Sequence, residues 1–150
     1  MTSASLPIEN VLPQIRERVA TDNRLVLAAP PGAGKTTRVP LDLMDQPACA
    51  GGRIMLLEPR RIAARAAAAR MADTLGEPLG HTVGLSTRLE RRVSRHTRIE
   101  VVTDGLLVRR ILNSPDLEGV STLIFDEFHE RSLNADLGLA LALDVQTALR

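Results

Sequence analysis

The stretch that decides the fold is LAAPPGAGKTT, residues 27 to 37. It overlaps the short apolar run RLVLAAP (24 to 30), which predicts a buried strand, and it leads into a predicted helix over 34 to 45. Backbone N–H groups of a tight glycine turn at a helix N-terminus converge on anions, because the helix dipole favours negative charge there. The stretch fits the phosphate-loop pattern G-x-x-x-x-G-K-[ST], except that Ala29 replaces the first glycine. Its position between a strand and a helix therefore carries the prediction of a phosphate site.

Lys35 is the only lysine in a chain with 18 arginines. A compact ammonium on a flexible stem fits between two phosphate groups, where a planar guanidinium does not. We expect Lys35 to reach the β and γ oxygens of a nucleotide. Gly32, Ala33 and Gly34 would hold the phosphates through their backbone. The Thr36 hydroxyl would bind magnesium.

The segment LIFDEFHER (123 to 131) supplies the second half that an ATP site requires. Asp126 ends a predicted buried strand, and ligands of parallel sheets bind at the carboxyl ends of strands. Its carboxylate is suited to hold Mg²⁺ through the water shell of the ion. Glu127 would then face the γ-phosphate as the base that activates water. An alternative is that this acidic pair simply ends a strand in solvent.

The whole chain has the size and composition of one α/β domain. It has 150 residues, and its 44% hydrophobic and 25% charged content is globular rather than disordered. No apolar run approaches the roughly 20 residues of a spanning helix, so we expect no membrane partner. The N-terminus lacks a basic region followed by an apolar region, and Cys49 is the only cysteine, so we expect a cytoplasmic protein without a disulfide. A net charge of +1 gives no general attraction to nucleic acid, so any such site would depend on local clusters.

Apolar strands alternate with helices along the chain, which predicts a mostly parallel sheet flanked by helices on both faces. Predicted strands cover 24 to 30, 53 to 59, 81 to 87, 98 to 104 and 121 to 128. Predicted helices cover 8 to 22 with an interruption at Pro13, 34 to 45, 60 to 75, 105 to 112 and 134 to 150. The arginine-dense segment 88 to 98 is expected to be a solvated loop more readily than a nucleic-acid patch.

The two halves together resemble the first RecA-like domain of superfamily 2 helicases. DEFHER (126 to 131) resembles the DEAH-box class, in particular its bacterial HrpB type. Ala29 is usual in such helicases, whereas Phe128 replaces the usual alanine and points to the HrpB type. The resemblance implies a RecA-like P-loop NTPase fold. It extends over nearly the whole chain through LPI (6 to 8), GKTTRVP (34 to 40), EPRRIAAR (58 to 65), VGLSTRLE (83 to 90) and VVTDGLLVRR (101 to 110).

The resemblance also implies site residues for ATP and Mg²⁺. His129 would couple the nucleotide to a second helicase domain, although a histidine beside a strand end is more often structural. Thr36 and Asp126 would bind the metal, and Lys35 and Glu127 would take part in catalysis. The implied ATP-binding residues are Ala29, Pro30, Pro31, Gly32, Ala33, Gly34, Lys35, Thr36, Thr37, Asp126, Glu127 and His129.

A track for single-stranded RNA or DNA is implied in the same way. Arg60 and Arg61 open a predicted helix, where positive charge opposes the dipole unless an anion such as a phosphate shares that position. Asp104 is equally suited to be the N-cap of the next helix. No Tyr or Trp is present to stack bases, so binding would be directed at the backbone and sensitive to salt. The implied track residues are Pro59, Arg60, Arg61, Arg88, Thr103, Asp104 and Gly105.

Helicases of this family place ATP between two RecA-like domains, and the second domain supplies arginine fingers. The chain ends before the S-A-T segment and that second domain, so we expect residues 1 to 150 to be an incomplete N-terminal part of a longer protein. By the resemblance, the S-A-T strand lies between the phosphate-loop strand and the Asp126 strand. Without that strand we expect unpaired strand edges and low stability. Without the arginine fingers of the second domain we expect very low ATPase activity.

Two other classes of protein would share part of this pattern. A P-loop ATPase that remodels proteins would need Lys35, Thr36, Asp126 and Glu127, but not Arg60, Arg61 or Thr103. A truncated nucleotide-binding or interaction module without enzymatic activity is the third possibility.

Overall fold

The fold is an α/β sandwich in which helices cover both faces of a five-stranded sheet, seen in a computed structural model that describes residues 5 to 149. The strand order is β3-β2-β4-β1-β5. Neighbouring strands are parallel except β3, which runs antiparallel to β2. The strands are β1 (Arg53–Glu58), β2 (Val83–Ser86), β3 (Arg91–Arg92), β4 (Ile99–Thr103) and β5 (Val120–Phe125). The predicted mostly parallel sheet is confirmed, and β3 is an addition that the sequence did not predict.

Five α-helices connect and flank the strands. They are α1 (Leu12–Thr21), α2 (Lys35–Leu43), α3 (Arg61–Leu75), α4 (Asp104–Asn113) and α5 (Leu133–Leu149). A 3-10 turn at Pro7–Asn10 precedes α1, and Pro13 lies in the first turn of that helix. The predicted interruption at Pro13 is therefore wrong. Proline is tolerated in a first turn because the N–H groups there have no partner within the helix.

The core lies in two layers, one on each face of the sheet. Successive side chains of a strand point to opposite faces, so Ile54 and Leu56 of β1 pack on one side and Met55 and Leu57 on the other. The first face is covered by α1, α2 and α3, and the second by α4 and α5. This arrangement explains why apolar residues of β1 point to both faces of the sheet instead of alternating with polar ones.

The segment 24 to 30 contradicts the prediction of a buried strand. It has no strand hydrogen bonding, and Leu25 and Val26 are 44% and 94% exposed. Strand conformation is stabilised by a hydrogen-bonded neighbour, and among the described residues β5 pairs on one side only, with β1. Leu27 and Ala29 nevertheless pack against the first core layer. An apolar run alone therefore did not make a strand where a pairing partner was missing.

Over residues 5 to 149, none of the helices combines the length and the apolar character needed to cross a membrane.

Candidate nucleotide and nucleic-acid site

The phosphate loop is a tight turn that ends at the N-terminus of α2. Gly32 and Gly34 have φ angles of 79° and 94°, in the left-handed region that favours glycine. Inside the turn the Ala33 N–H donates to Pro30 O at 3.2 Å, and the Ala33 carbonyl accepts from Ile8 N–H at 3.0 Å. No described side chain caps the first turn of α2. Its N–H groups are therefore free for an anion.

Thr36 and Asp126 meet although 90 residues separate them in the chain. The Thr36 Oγ1 donates a hydrogen bond to Asp126 Oδ2 at 2.8 Å. Asp126 is held at the end of β5 because its N–H donates to Leu57 O at 3.1 Å. A hydroxyl and a carboxylate oxygen side by side are hard ligands suited to Mg²⁺. This pair and the open helix end fit a Mg²⁺–nucleotide group, and Lys35 Nζ lies beside them, 3.3 Å from Ala29 O.

Glu127 has an unusual backbone conformation next to this pair. Its φ of 53° is left-handed, which costs a non-glycine residue about 1 to 2 kcal/mol. Its Oε2 atom lies 3.1 Å from His129 Nε2. Ligand atoms of Glu127, His129 and Glu130 lie within 4.8 Å of one another. The turn after β5 therefore concentrates acidic groups where the γ-phosphate end of a nucleotide is expected.

Glu58 belongs to the same place but was missed by the sequence reasoning. It is the last residue of β1 and is 2% exposed, and its Oε1 has no hydrogen-bond partner among the described residues. Burial raises the pKa of Glu58 to about 9, and the carboxylates of Asp126, Glu127 and Glu130 act in the same direction. The residue lines a cavity of about 90 Å³ together with those three acidic residues. The only sequence signal was a glutamate ending the apolar run RIMLLEP.

The predicted nucleic-acid residues emerge at the same edge of the sheet. Glu58 of β1 lies opposite Thr103 of β4 in the parallel register, so Pro59 and Arg60 leave the sheet beside Asp104. β2 runs parallel to β4, and Arg88 follows it by two residues in an exposed position. The segments that follow β1, β2 and β4 thus lie at the carboxyl edge of the sheet, where the Thr36–Asp126 pair also lies.

The start of α4 differs from the prediction. Thr103 occupies the N-cap position, without a side-chain capping bond, and Asp104 is already helical. The prediction of Asp104 as N-cap is therefore wrong. Its Oδ2 instead accepts a hydrogen bond from Ser132 Oγ at 2.7 Å, and Ser132 Oγ accepts one from the Ala135 N–H. The helix begins one residue earlier than predicted, since Thr103 ends β4 in extended conformation and so takes the N-cap position, which places Asp104 in the first turn.

Arg60 is the N-cap residue of α3, and Arg61 is its first helical residue. Arg60 Nη2 lies 2.6 Å from Glu130 Oε1. Arg61 is exposed and makes no salt bridge within the described part of the chain. The anion expected at this helix start is thus, for Arg60, the carboxylate of Glu130 in the DEFHER segment.

The arginine-dense segment is only partly the solvated loop that was predicted. Arg88, Arg91, Arg92 and Arg95 are all exposed, but Arg91 and Arg92 form the short strand β3, and Arg98 donates to Met44 O at 2.7 Å. The turn that leads into β3 is held by ion pairs of Glu90 that the sequence did not predict. Glu90 accepts from Arg92 Nε at 2.8 Å and also pairs with Arg65 of α3.

The chain matches known proteins over most of its length. A family model described as DEAD/DEAH box helicase matches residues 9 to 141. The ATP-dependent RNA helicase HrpB of Escherichia coli K12 is 51% identical over 147 residues, which is 98% of this chain and 18% of that protein. The pre-mRNA-splicing factor ATP-dependent RNA helicase DEAH10 of Arabidopsis thaliana is 39% identical over 95% of this chain and 20% of that protein.

Solved structures agree with these matches. A crystal structure of the Escherichia coli DEAH/RHA helicase HrpB superposes with a TM-score of 0.93 over 97% of this chain and 18% of that one. A second, of the E. coli DExH-box NTPase HrpB, has a TM-score of 0.96 over 100% of this chain. This chain thus spans about a fifth of the length of these proteins. With the phosphate loop, the DEFHER turn and these matches in agreement, the chain belongs to the DEAD/DEAH box helicase family.

Proposed function

We propose that this chain is the ATP-binding part of an ATP-dependent, DEAH-type helicase that binds and unwinds nucleic acid. The observation that carries the proposal is the Thr36–Asp126 contact of 2.8 Å beside the uncapped N-terminus of α2. It joins a hydroxyl from the phosphate loop to a carboxylate from the acidic turn, which is the pair a Mg²⁺–ATP site requires. Relatives named ATP-dependent RNA helicases support the assignment.

Each residue of the site has a distinct task in converting ATP and water to ADP and phosphate. The N–H groups of Gly32 to Lys35 and the Lys35 ammonium hold the phosphates. Thr36 and Asp126 hold Mg²⁺, which when bound offsets the negative charge of the phosphates. Glu127 orients the attacking water and accepts its proton. Ala29, Pro30, Pro31, Thr37 and His129 complete the proposed nucleotide contacts.

Single-stranded nucleic acid is proposed to cross the carboxyl edge of the sheet. Arg60, Arg61 and Arg88 are exposed cations there, and guanidinium groups pair well with phosphate oxygens. Pro59, Thr103, Asp104 and Gly105 form the adjoining surface. RNA is the favoured strand, because the relatives described above are named RNA helicases. Binding directed at the backbone should weaken steeply with salt.

A second RecA-like domain is proposed as the partner that completes the site in a longer protein. The phosphate loop and the acidic turn provide one side of an ATP site, and the chain spans about a fifth of the curated relatives. Arginine fingers from a partner domain are worth on the order of 10³ to 10⁵ in rate in related NTPases. The 150-residue chain alone should therefore hydrolyse ATP very slowly.

The proposal is tested by steady-state ATPase assays on the full-length protein, with and without single-stranded RNA and DNA. Lys35→Ala should abolish turnover, whereas Arg60→Ala/Arg61→Ala should keep basal turnover and lose stimulation by the strand. Arg70→Ala is the matched control, since Arg70 is an exposed arginine of the same helix, α3, near its other end. Turnover that neither strand stimulates would favour a protein-remodelling ATPase instead.

A further inference from the structure

One ion pair joins the proposed nucleic-acid track to the acidic turn after β5. Arg60 Nη2 lies 2.6 Å from Glu130 Oε1, with the side chains 67% and 36% exposed. Arg60 begins α3 in the proposed nucleic-acid track, and Glu130 lies three residues after Glu127 in the acidic turn. The Glu130 N–H donates to Glu127 O at 3.0 Å, so the two residues share one 3-10 turn. Arg60 therefore contacts the turn that also carries Glu127, the residue proposed to orient the attacking water.

The surroundings of Glu130 make this contact important for the turn. Ligand atoms of Glu127, His129 and Glu130 lie within 4.8 Å of one another, and Glu58 adds a buried carboxyl group to the same cavity. Arg131, the next residue, is engaged elsewhere through two hydrogen bonds of 2.8 Å to Asp136. Among the described residues, Arg60 is thus the arginine that pairs with the acidic turn. Arg61, its neighbour, makes no salt bridge in this part of the chain.

A phosphate group and the Glu130 carboxylate compete for the same guanidinium. Both are anions that bind arginine through paired N–H groups, and two anions on one cation repel each other. The pair is exposed, so its free energy is small, and a two- to fivefold change in Kd corresponds to about 0.4 to 1 kcal/mol. That amount is enough to change strand affinity severalfold without blocking binding.

We propose that Glu130 is a positioning residue that holds Arg60 in the strand-free state and that single-stranded nucleic acid displaces it. The inference rests on the proposed function, because it takes Arg60 to be a phosphate contact. Nucleic-acid binding then breaks the Arg60–Glu130 ion pair and leaves an unpaired Glu130 carboxylate near Glu127. The charge of the acidic turn therefore depends on whether the track is occupied. A nucleotide state that moves Glu130 away from Arg60 tightens nucleic-acid binding. By linkage, bound nucleic acid favours that nucleotide state by the same factor.

The test is a double-mutant cycle on the full-length protein, with a fluorescent single-stranded RNA of fixed sequence as the probe at constant salt. Glu130→Gln keeps the size of the side chain and removes its charge. It is combined with the wild-type background, with Arg60→Ala and with Arg61→Ala. Arg61→Ala is the matched control, since it removes a neighbouring arginine that has no acidic partner in residues 5 to 149.

We expect Glu130→Gln to tighten RNA binding about two- to fivefold in the wild-type and Arg61→Ala backgrounds. In the Arg60→Ala background the same substitution should leave the Kd unchanged. An equal gain in all three backgrounds would show a general charge effect and overturn the inference, and so would the absence of any gain. A wild-type protein that binds neither RNA nor DNA would instead refute the proposed function itself.

Discussion

A buried charge network under α4 offers a sharp test of the packing described above. Glu100 of β4 is 1% exposed. Its carboxylate accepts two hydrogen bonds from Arg110 of α4, at 2.8 and 2.5 Å, and one from Ser86 Oγ at 2.6 Å. The Arg53 Nη1 atom lies 3.4 Å from Glu100 Oε2. Substituting Arg110→Met removes the bidentate partner and leaves the carboxylate buried.

The size of the effect follows from the burial of the pair. Removing one partner of a buried ion pair costs about 3 to 5 kcal/mol in free energy of unfolding. The Arg110 side chain is 32% exposed, and Arg53 and Ser86 still contact the carboxylate. We therefore expect a cost at or just below the lower limit of that range, about 2 to 3 kcal/mol. That corresponds to about a 30- to 150-fold larger opening equilibrium for this region.

Hydrogen exchange of backbone amides in the full-length protein measures this opening locally, in peptides covering β4 and α4. The double variant Glu100→Leu/Arg110→Met removes both charges and should lose less protection than Arg110→Met alone, because no buried carboxylate is left unpaired. A loss in Arg110→Met below about 0.5 kcal/mol would refute the reasoning. A double variant at least as unstable as the single one would refute it too.

Three further outcomes are expected. Burial alone would raise the pKa of Glu100, but its hydrogen bonds with Arg110 and Ser86 outweigh this and hold the pKa below its usual value. The resulting stability is present above the unfolded-state pKa of about 4.3 and is lost as the pH falls through the lowered pKa of the folded protein, so the thermal midpoint of wild type should approach that of Glu100→Gln as the pH falls below about 4.3. Gly34→Ala should weaken ATP binding, measured with a fluorescent analogue, because the added Cβ would lie 2.6 Å from Leu6 Cδ1 and the φ of 94° favours glycine. Gly51→Ala is the control and should leave ATP binding unchanged, since a Cβ there meets nothing within 4 Å. Lys35→Arg should lower ATPase turnover nearly as far as Lys35→Ala, on the order of 10²-fold or more, and near-normal turnover would contradict the fit of an ammonium between phosphates.

Local patterns in the sequence predicted those parts of the site that neighbouring residues build by themselves. The glycine turn and the helix from Lys35 depend on backbone preferences within a few residues, and both are present. Asp126 was predicted at the end of a strand because a short apolar run precedes it, and β5 ends at Phe125. Four of the five predicted strands are present, and each of them has a described neighbour to pair with.

Contacts between distant segments were not predictable in this way. The apolar run 24 to 30 did not form a strand, because strand formation depends on a partner that no local pattern reports. Asp104 lies one residue inside α4 and accepts a hydrogen bond from Ser132, 28 residues later, a contact that no local pattern reports. Glu58 belongs to the site because β1 lies between β4 and β5, which places its buried carboxyl beside Asp126.

The sequence by itself thus determined which chemical groups are available and the local frame that holds each of them. It supplied one lysine in a glycine turn, an acidic pair after an apolar run, and arginines at a helix start. The tertiary structure decided which of these groups meet, including Thr36 with Asp126 and Arg60 with Glu130. The physical reason is that turns and helices depend on interactions within a few residues, whereas charge pairing across a sheet edge depends on strand order and register.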